Sequence, residues 1–254
     1  MKNQYFGDIS DYKKYSLLRV LSNHGAMRIM VGWMLTEDDH RTDGKFIRYL
    51  QEPARWRHYD PQIFDMLSYF INQENKRDIG LLEKEEIIPG AVYHSDILTD
   101  DLVQRQQYFE NLCLKADGCH LVFLDPDNGM EVKSITRGSR NSCKYLYWDE
   151  LKNLYCQGFS LLAYQHFSRV ERKSFIRSIS VEMMHYTNAE EVYSFQTPRV
   201  AFFLVPQRNH RDKLGSFEKI MNQCWNPQIL VVRHTQDTQE NISDVQLSLN
   251  FADR

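Results

Sequence analysis

His120-Leu121-Val122-Phe123-Leu124-Asp125-Pro126-Asp127-Asn128-Gly129 is the stretch whose reading decides the fold. Leu121 to Leu124 are consecutive apolar residues, with Gly118 before them and a Pro/Asp/Asn/Gly cluster after them. That pattern predicts a strand buried on both faces. Such strands belong to parallel sheets covered by helices. Pro126 removes a backbone donor and Gly129 permits a positive φ, so the chain turns there. In open α/β sheets the ligand crevice lies outside the carboxyl ends of the strands, which is where Asp125 falls. Asp, Pro, Asn and Gly are also ordinary turn residues. Two acids and an amide packed at one strand end favour a site over a plain turn.

Outward from this stretch, strand and helix signals alternate. Towards the N-terminus, Asp8 or Ser10 caps a helix from about residue 11, with Tyr15, Leu17, Leu18 and Leu21 on its apolar face. Lys13 and Lys14 at its start read as a solvated face; alternatively Asp8, Asp11, Tyr12 and Lys13 line a site. Residues 28–35 predict a first core strand, with Gly32 marking close backbone approach. Asp60 and Pro61 open a helix as cap and first residue. A second strand is expected over 90–98 and a helix over about 100–115, capped by Thr99. Past the central stretch lie a basic loop over 130–147, a helix over 145–156 and a strand over 158–166. A helix from about residue 168 follows, with Phe175, Ile179 and Met183 facing inward. Strands over 191–196 and 199–205 make a hairpin-like pair joined at Thr197-Pro198. A helix over 213–224 and a strand over 228–233 complete the order. The alternation predicts an α/β fold, a Rossmann-like three-layer sandwich with a mostly parallel sheet and antiparallel C-terminal strands. No linker divides the chain, so residues 1–235 read as one domain and 236–254 as a polar, mobile tail.

Composition narrows the function. With 254 residues, 42% of them hydrophobic, the chain can build a sizeable core. A net charge of −3 gives no global signal for nucleic acid. Contact with RNA or DNA would need local patches: Lys13, Arg137 and Arg140, and the helical row Arg169, Arg172 and Lys173. The default role of such a row is a solvated face. The five cysteines form no CxxC pair and no regular spacing. That argues against zinc and against a disulfide framework, and fits reduced thiols in a cytoplasmic protein. The first residues hold no apolar signal-peptide core, and no run approaches the roughly 18 apolar residues of a membrane span.

Three strand ends line up with a known arrangement: Gly32-Trp33, Asp96, and Asp125-Pro126-Asp127-Asn128. The chain resembles the class I S-adenosylmethionine-dependent methyltransferase fold. In outline it is most similar to the bacterial family that methylates adenine N6 in large-subunit ribosomal RNA. The resemblance implies S-adenosylmethionine as cofactor and an amino group of RNA or DNA as acceptor. It implies that Asp125 and the Pro126 carbonyl accept hydrogen bonds from the target amine, which localises the nitrogen lone pair toward the methyl donor. Asp127 and Asn128 complete the tetrad, His166 or Tyr164 borders the base pocket, and Gly32, Trp33 and Asp96 lie at the cofactor. Asp127 stands where the family has a second proline, and Asn128 where it has an aromatic that stacks on a flipped base. The glycine loop is reduced to Gly32-Trp33, where Trp33 could fill the space of the methionine part. Two alternatives remain open beside it. One is a metal-dependent nuclease or phosphoesterase, with Asp125, Asp127 and a further acid (Asp96, Asp8 or Glu131) on Mg²⁺. The other is a non-catalytic subunit of this fold with a protein partner, for instance in a phage-defence assembly.

Overall fold

The computed structural model describes residues 1–37, 44, 46–167 and 170–236. In chain order the elements are α1 (Ile9–Ser22), β1 (Ile29–Gly32), α2 (Pro53–Trp56), α3 (Pro61–Ser68), α4 (Gly80–Lys84), β2 (Val92–His94), α5 (Leu102–Lys115) and β3 (Leu121–Leu124). Then come β4 (Gly129–Met130), β5 (Tyr145–Leu146), α6 (Trp148–Cys156), β6 (Ser160–His166), α7 (Arg172–Thr187), β7 (Glu191–Gln196), β8 (Val200–Val205), α8 (Arg211–Leu214), α9 (Phe217–Cys224) and β9 (Leu230–Thr235).

The main sheet has seven strands in the order β2-β1-β3-β6-β8-β7-β9. Strands β2, β1, β3 and β6 are parallel neighbours. Strand β8 is antiparallel to both β6 and β7, and β9 is antiparallel to β7. So β7 points the same way as β6, and only β8 and β9 run against the rest. The fold is the α/β sandwich expected, with its antiparallel part at the C-terminal end.

Alternation along the buried strands feeds two cores. Ile29, Val31, Leu121 and Phe123 pack on one face with Leu17 and Leu21 of α1, Leu67 of α3 and Met221 of α9. Met30, Val122 and Leu124 pack on the other with Leu112 of α5, Leu154 of α6 and Met183 of α7. Gly32 belongs to this packing: a Cβ there would lie 2.7 Å from Leu112 Cδ1. The strand order reverses between β1 and β3, with β2 added on one side of β1 and β3 on the other, so the switch-point crevice opens over the carboxyl ends of these two parallel strands.

Several local expectations shift for identifiable reasons. Asp101, not Thr99, caps α5, accepting from the Val103 and Gln104 amides. Asp100 is drawn off to the amides of Asn141 and Cys143. Helix α7 starts at Arg172 because the Glu171 carboxylate caps it. Its buried residues are Ile176, Ser180, Met183, Met184 and Thr187, so Phe175 and Ile179 sit at the edge of that face. Gly215, at φ +60°, breaks the expected 213–224 helix into α8 and α9. Tyr145 and Leu146 pair with Gly129 and Met130 as a small second sheet before α6 begins. The expected tail lies almost wholly outside the described residues, as does Arg169. Among the described residues no helix is long and apolar enough to cross a membrane.

Candidate functional site

A cavity of about 470 Å³ opens over the carboxyl ends of β3 and β6. Asp125, Pro126, Asp127, Asn128 and His166 all line it, so the strand-end tetrad and the tip of β6 share one cleft. The start of α1 closes the opposite side with Asp8, Ser10, Asp11 and Lys14. Arg199 and Phe46 stand at the mouth.

The floor is a buried ion cluster. Lys14 Nζ lies 2.8 Å from Asp11 Oδ1 and 2.6 Å from Asp125 Oδ2, with each side chain about 3% exposed. Tyr15 donates to the other Asp11 oxygen at 2.9 Å. Burial lowers the affinity of Lys14 for its proton, but Asp11 and Asp125 outweigh it and raise the ammonium above its ordinary value. Burial pushes the Asp11 carboxyl up to about 6; Lys14 opposes this, and the carboxylates of Asp125 and Asp8 reinforce it. The cluster thus holds one cation between two acids, and burial makes the Asp11 carboxyl easier to protonate than an ordinary one. The solvated-face expectation for Lys13 and Lys14 fails because each cation has buried acceptors. Lys13 reaches the Gln228 carbonyl and side-chain oxygens at 3.3 and 3.2 Å.

The turn after β3 is clamped from β6. Gln165 accepts from the Met130 amide at 2.8 Å and donates to the Asn128 carbonyl at 3.3 Å. Gly129, at φ +108°, is required there, since a Cβ would lie 2.5 Å from Gln165 Cδ. Asp127 accepts from the Thr36 hydroxyl at 2.9 Å and forms an ion pair with the Met1 ammonium at 2.7 Å. Burial raises its carboxyl, yet these two partners hold it below the usual carboxylate value. The Met1 nitrogen also donates to the Met34 and Asp125 carbonyls, both at 3.1 Å. Three oxygen acceptors from the ends of β1 and β3 therefore converge on one nitrogen in the switch-point crevice.

Other residues singled out in the sequence lie apart from the cleft. Trp33 is fully buried, with ring centroids 6.1 to 6.2 Å from those of Tyr15, Tyr93 and Phe123. Gly32 faces Leu112. Asp96 is half-exposed on the far side of β2, 3.5 Å from Lys115. Arg137 is neutralised by Asp149 and stacks on Tyr147, with Arg140 exposed on the same loop. Lys173 is exposed at the start of α7, whereas Arg172 beside it reaches the mouth of the cleft, donating to the Pro198 carbonyl. Lys14, Thr36, Gln165, Phe46 and Arg199 were missed. For Lys14 a signal existed: Asp8, Asp11 and Lys14 recur every third residue, along one helix face.

No family model and no curated protein matches this chain. Among solved structures it is similar to protein LPL1258 from Legionella pneumophila str. Philadelphia 1, family-model DUF519. The TM-score is 0.44 at 10% identity, over 90% of this chain and 97% of that one. A score of that size assigns neither a fold family nor a site.

Proposed function

We propose that this chain acts on nucleic acid, receiving an exocyclic amino group of the adenine type in the cleft and methylating it. The observation that carries this is the chemistry of the interior. Four carboxylates, Asp8, Asp11, Asp125 and Asp127, line the interior against two cations, Lys14 between Asp11 and Asp125 and the Met1 ammonium on Asp127. Such a lining repels phosphate and receives hydrogen-bond donors. Lys14 fixes Oδ2 of Asp125, and no other donor among the described residues bonds that carboxylate. Its Oδ1 is left to accept from an incoming amine, as the Pro126 carbonyl would beside it. Both contacts orient the nitrogen lone pair by positioning and electrostatics.

The donor set at the crevice fits part of S-adenosylmethionine. The methionine end of that molecule carries an ammonium, and the Met34 carbonyl, the Asp125 carbonyl and the Asp127 carboxylate already converge on a nitrogen. These three residues would hold it, and when bound it supplies an electrophilic methyl group. Met1 uses the same acceptors, so Met1 and the cofactor exclude one another. Gly32, Trp33 and Asp96 are not part of this set. A Mg²⁺-dependent nuclease would need converging free acids. Among the described residues no three His, Cys, Asp or Glu side chains are grouped to hold a metal ion, and Lys14 stands between Asp11 and Asp125.

The test is calorimetric titration with S-adenosylmethionine, paired with counting labelled methyl groups transferred to RNA and to DNA. Wild-type protein should release heat and transfer label. Asp125→Asn should keep the heat and lose about 100-fold in transfer. No heat at millimolar cofactor, together with no transfer, defeats the proposal.

A further inference from the structure

The mouth of the cleft differs in character from its interior. The Arg199 guanidinium lies over the Phe46 ring, 3.5 Å from its centroid, and Phe46 is 52% exposed. A second arginine–phenylalanine pair stands next to it, its ring half-buried against Phe175. Arg172 lies 4.9 Å from the centroid of the Phe167 ring and donates to the Pro198 carbonyl at 2.7 Å. Phe167 directly follows His166, and Pro198 directly precedes Arg199, so both pairs flank cleft-lining residues. No carboxylate among the described residues pairs with either guanidinium. An exposed aromatic ring under an arginine with no carboxylate partner offers solvent both a stacking face and a positive charge.

From this juxtaposition we infer that the Phe46–Arg199 and Phe167–Arg172 pairs form a binding platform for single-stranded nucleic acid along the rim of the cleft. The inference rests on the proposed nucleic-acid substrate and specifies its form. Phosphates are held outside, on the two guanidiniums, because the acid-lined interior repels them. Bases stack on the rings and guanidinium planes, a mode that needs unpaired bases whose faces are free. One base then enters the cleft, where only its neutral, donor-bearing edge is accepted. Phosphate contact on the rim and amine recognition within are therefore divided between two groups of residues. A duplex cannot use this surface without being opened.

Fluorescence anisotropy with short labelled strands, in the absence of any methyl donor, tests it. Wild-type protein should bind single strands more tightly than the matching duplex, with affinity falling as salt rises. Phe46→Ala and Arg199→Ala should each weaken single-strand binding roughly tenfold or more. Arg172→Ala should also reduce the salt slope by about one. Lys152→Ala, on α6, should bind as wild type, and circular dichroism verifies that every variant is folded. Unchanged affinity in folded Phe46→Ala and Arg199→Ala, preference for duplex, or no binding to either strand at low salt overturns the inference. If binding behaves as expected but no methyl group is transferred, the platform stands and the catalytic proposal falls. If label is transferred while the rim variants bind normally, the reverse holds.

Discussion

Replacing Lys14 with methionine keeps the length of the side chain and removes the cation from the floor of the cleft. Lys14 lies 2.8 Å from Asp11 and 2.6 Å from Asp125, and all three side chains are about 3% exposed. Without it, two carboxylates are left in a site that water barely reaches. Removing one partner of a buried ion pair typically costs about 3–5 kcal/mol. With a urea dependence near the upper end for single domains, Lys14→Met should lower the unfolding midpoint by about 1–2 M. The deficit should depend on pH, with a definite sign. The Asp11 carboxyl stands at about 6 in the folded protein even with Lys14 opposing the shift, and losing Lys14 moves it higher. A carboxyl raised above its unfolded value of about 3.9 contributes stability that is complete below that value and lost as pH rises through the folded one. Urea titrations should therefore show the largest gap between variant and wild type near pH 8 and a much smaller gap near pH 5. Adding Asp11→Asn to Lys14→Met should restore a large part of the midpoint at pH 8. A deficit under about 1 kcal/mol at pH 8, or one equal at both pH values, would refute the view that these three side chains form one coupled unit.

Two further substitutions test the supports of the site. Gly129→Ala places a methyl group against the Gln165 amide at φ +108°, and should cost about 1–3 kcal/mol in thermal melts, with Gln165→Ala as second change recovering part of it. Arg105 forks onto Glu150 at 2.6 and 2.8 Å and donates to the Tyr145 carbonyl at 2.7 Å. Arg105→Lys cannot reproduce that fork, and should lower stability by about 2 kcal/mol while speeding amide exchange over residues 142–147.

The sheet was legible in the sequence because it is written in runs of apolar residues. Leu121–Leu124 and the first four residues of β6, Ser160 to Ala163, are buried on both sides, and their turn residues fall where the strands stop. Asp125 and His166 were legible for the same reason: a strand end is a local feature, and the parallel order brings two such ends to one rim. The remainder of the cleft depends on contacts far apart in the chain. Lys14 meets Asp125 across 111 positions, and Gln165 meets Met130 across 35. Two lysines in the first turn of a helix look solvated until the acids that neutralise them are known. Gly32 announced close approach correctly, but the neighbour that approaches is Leu112. A missing side chain says that space is filled without saying by what.

The reversal of β8 has a consequence for how this cleft can vary. His166 pairs with Val200, so the residues joining β7 to β8 surface beside the tip of β6. The hairpin tip at Pro198-Arg199 thus also supplies a wall of the cavity, through Arg199. Lengthening or recolouring that tip would reshape the entrance while leaving every ladder of the sheet in register. Ligand preference in chains built this way can drift at a surface turn, with the buried scaffold untouched.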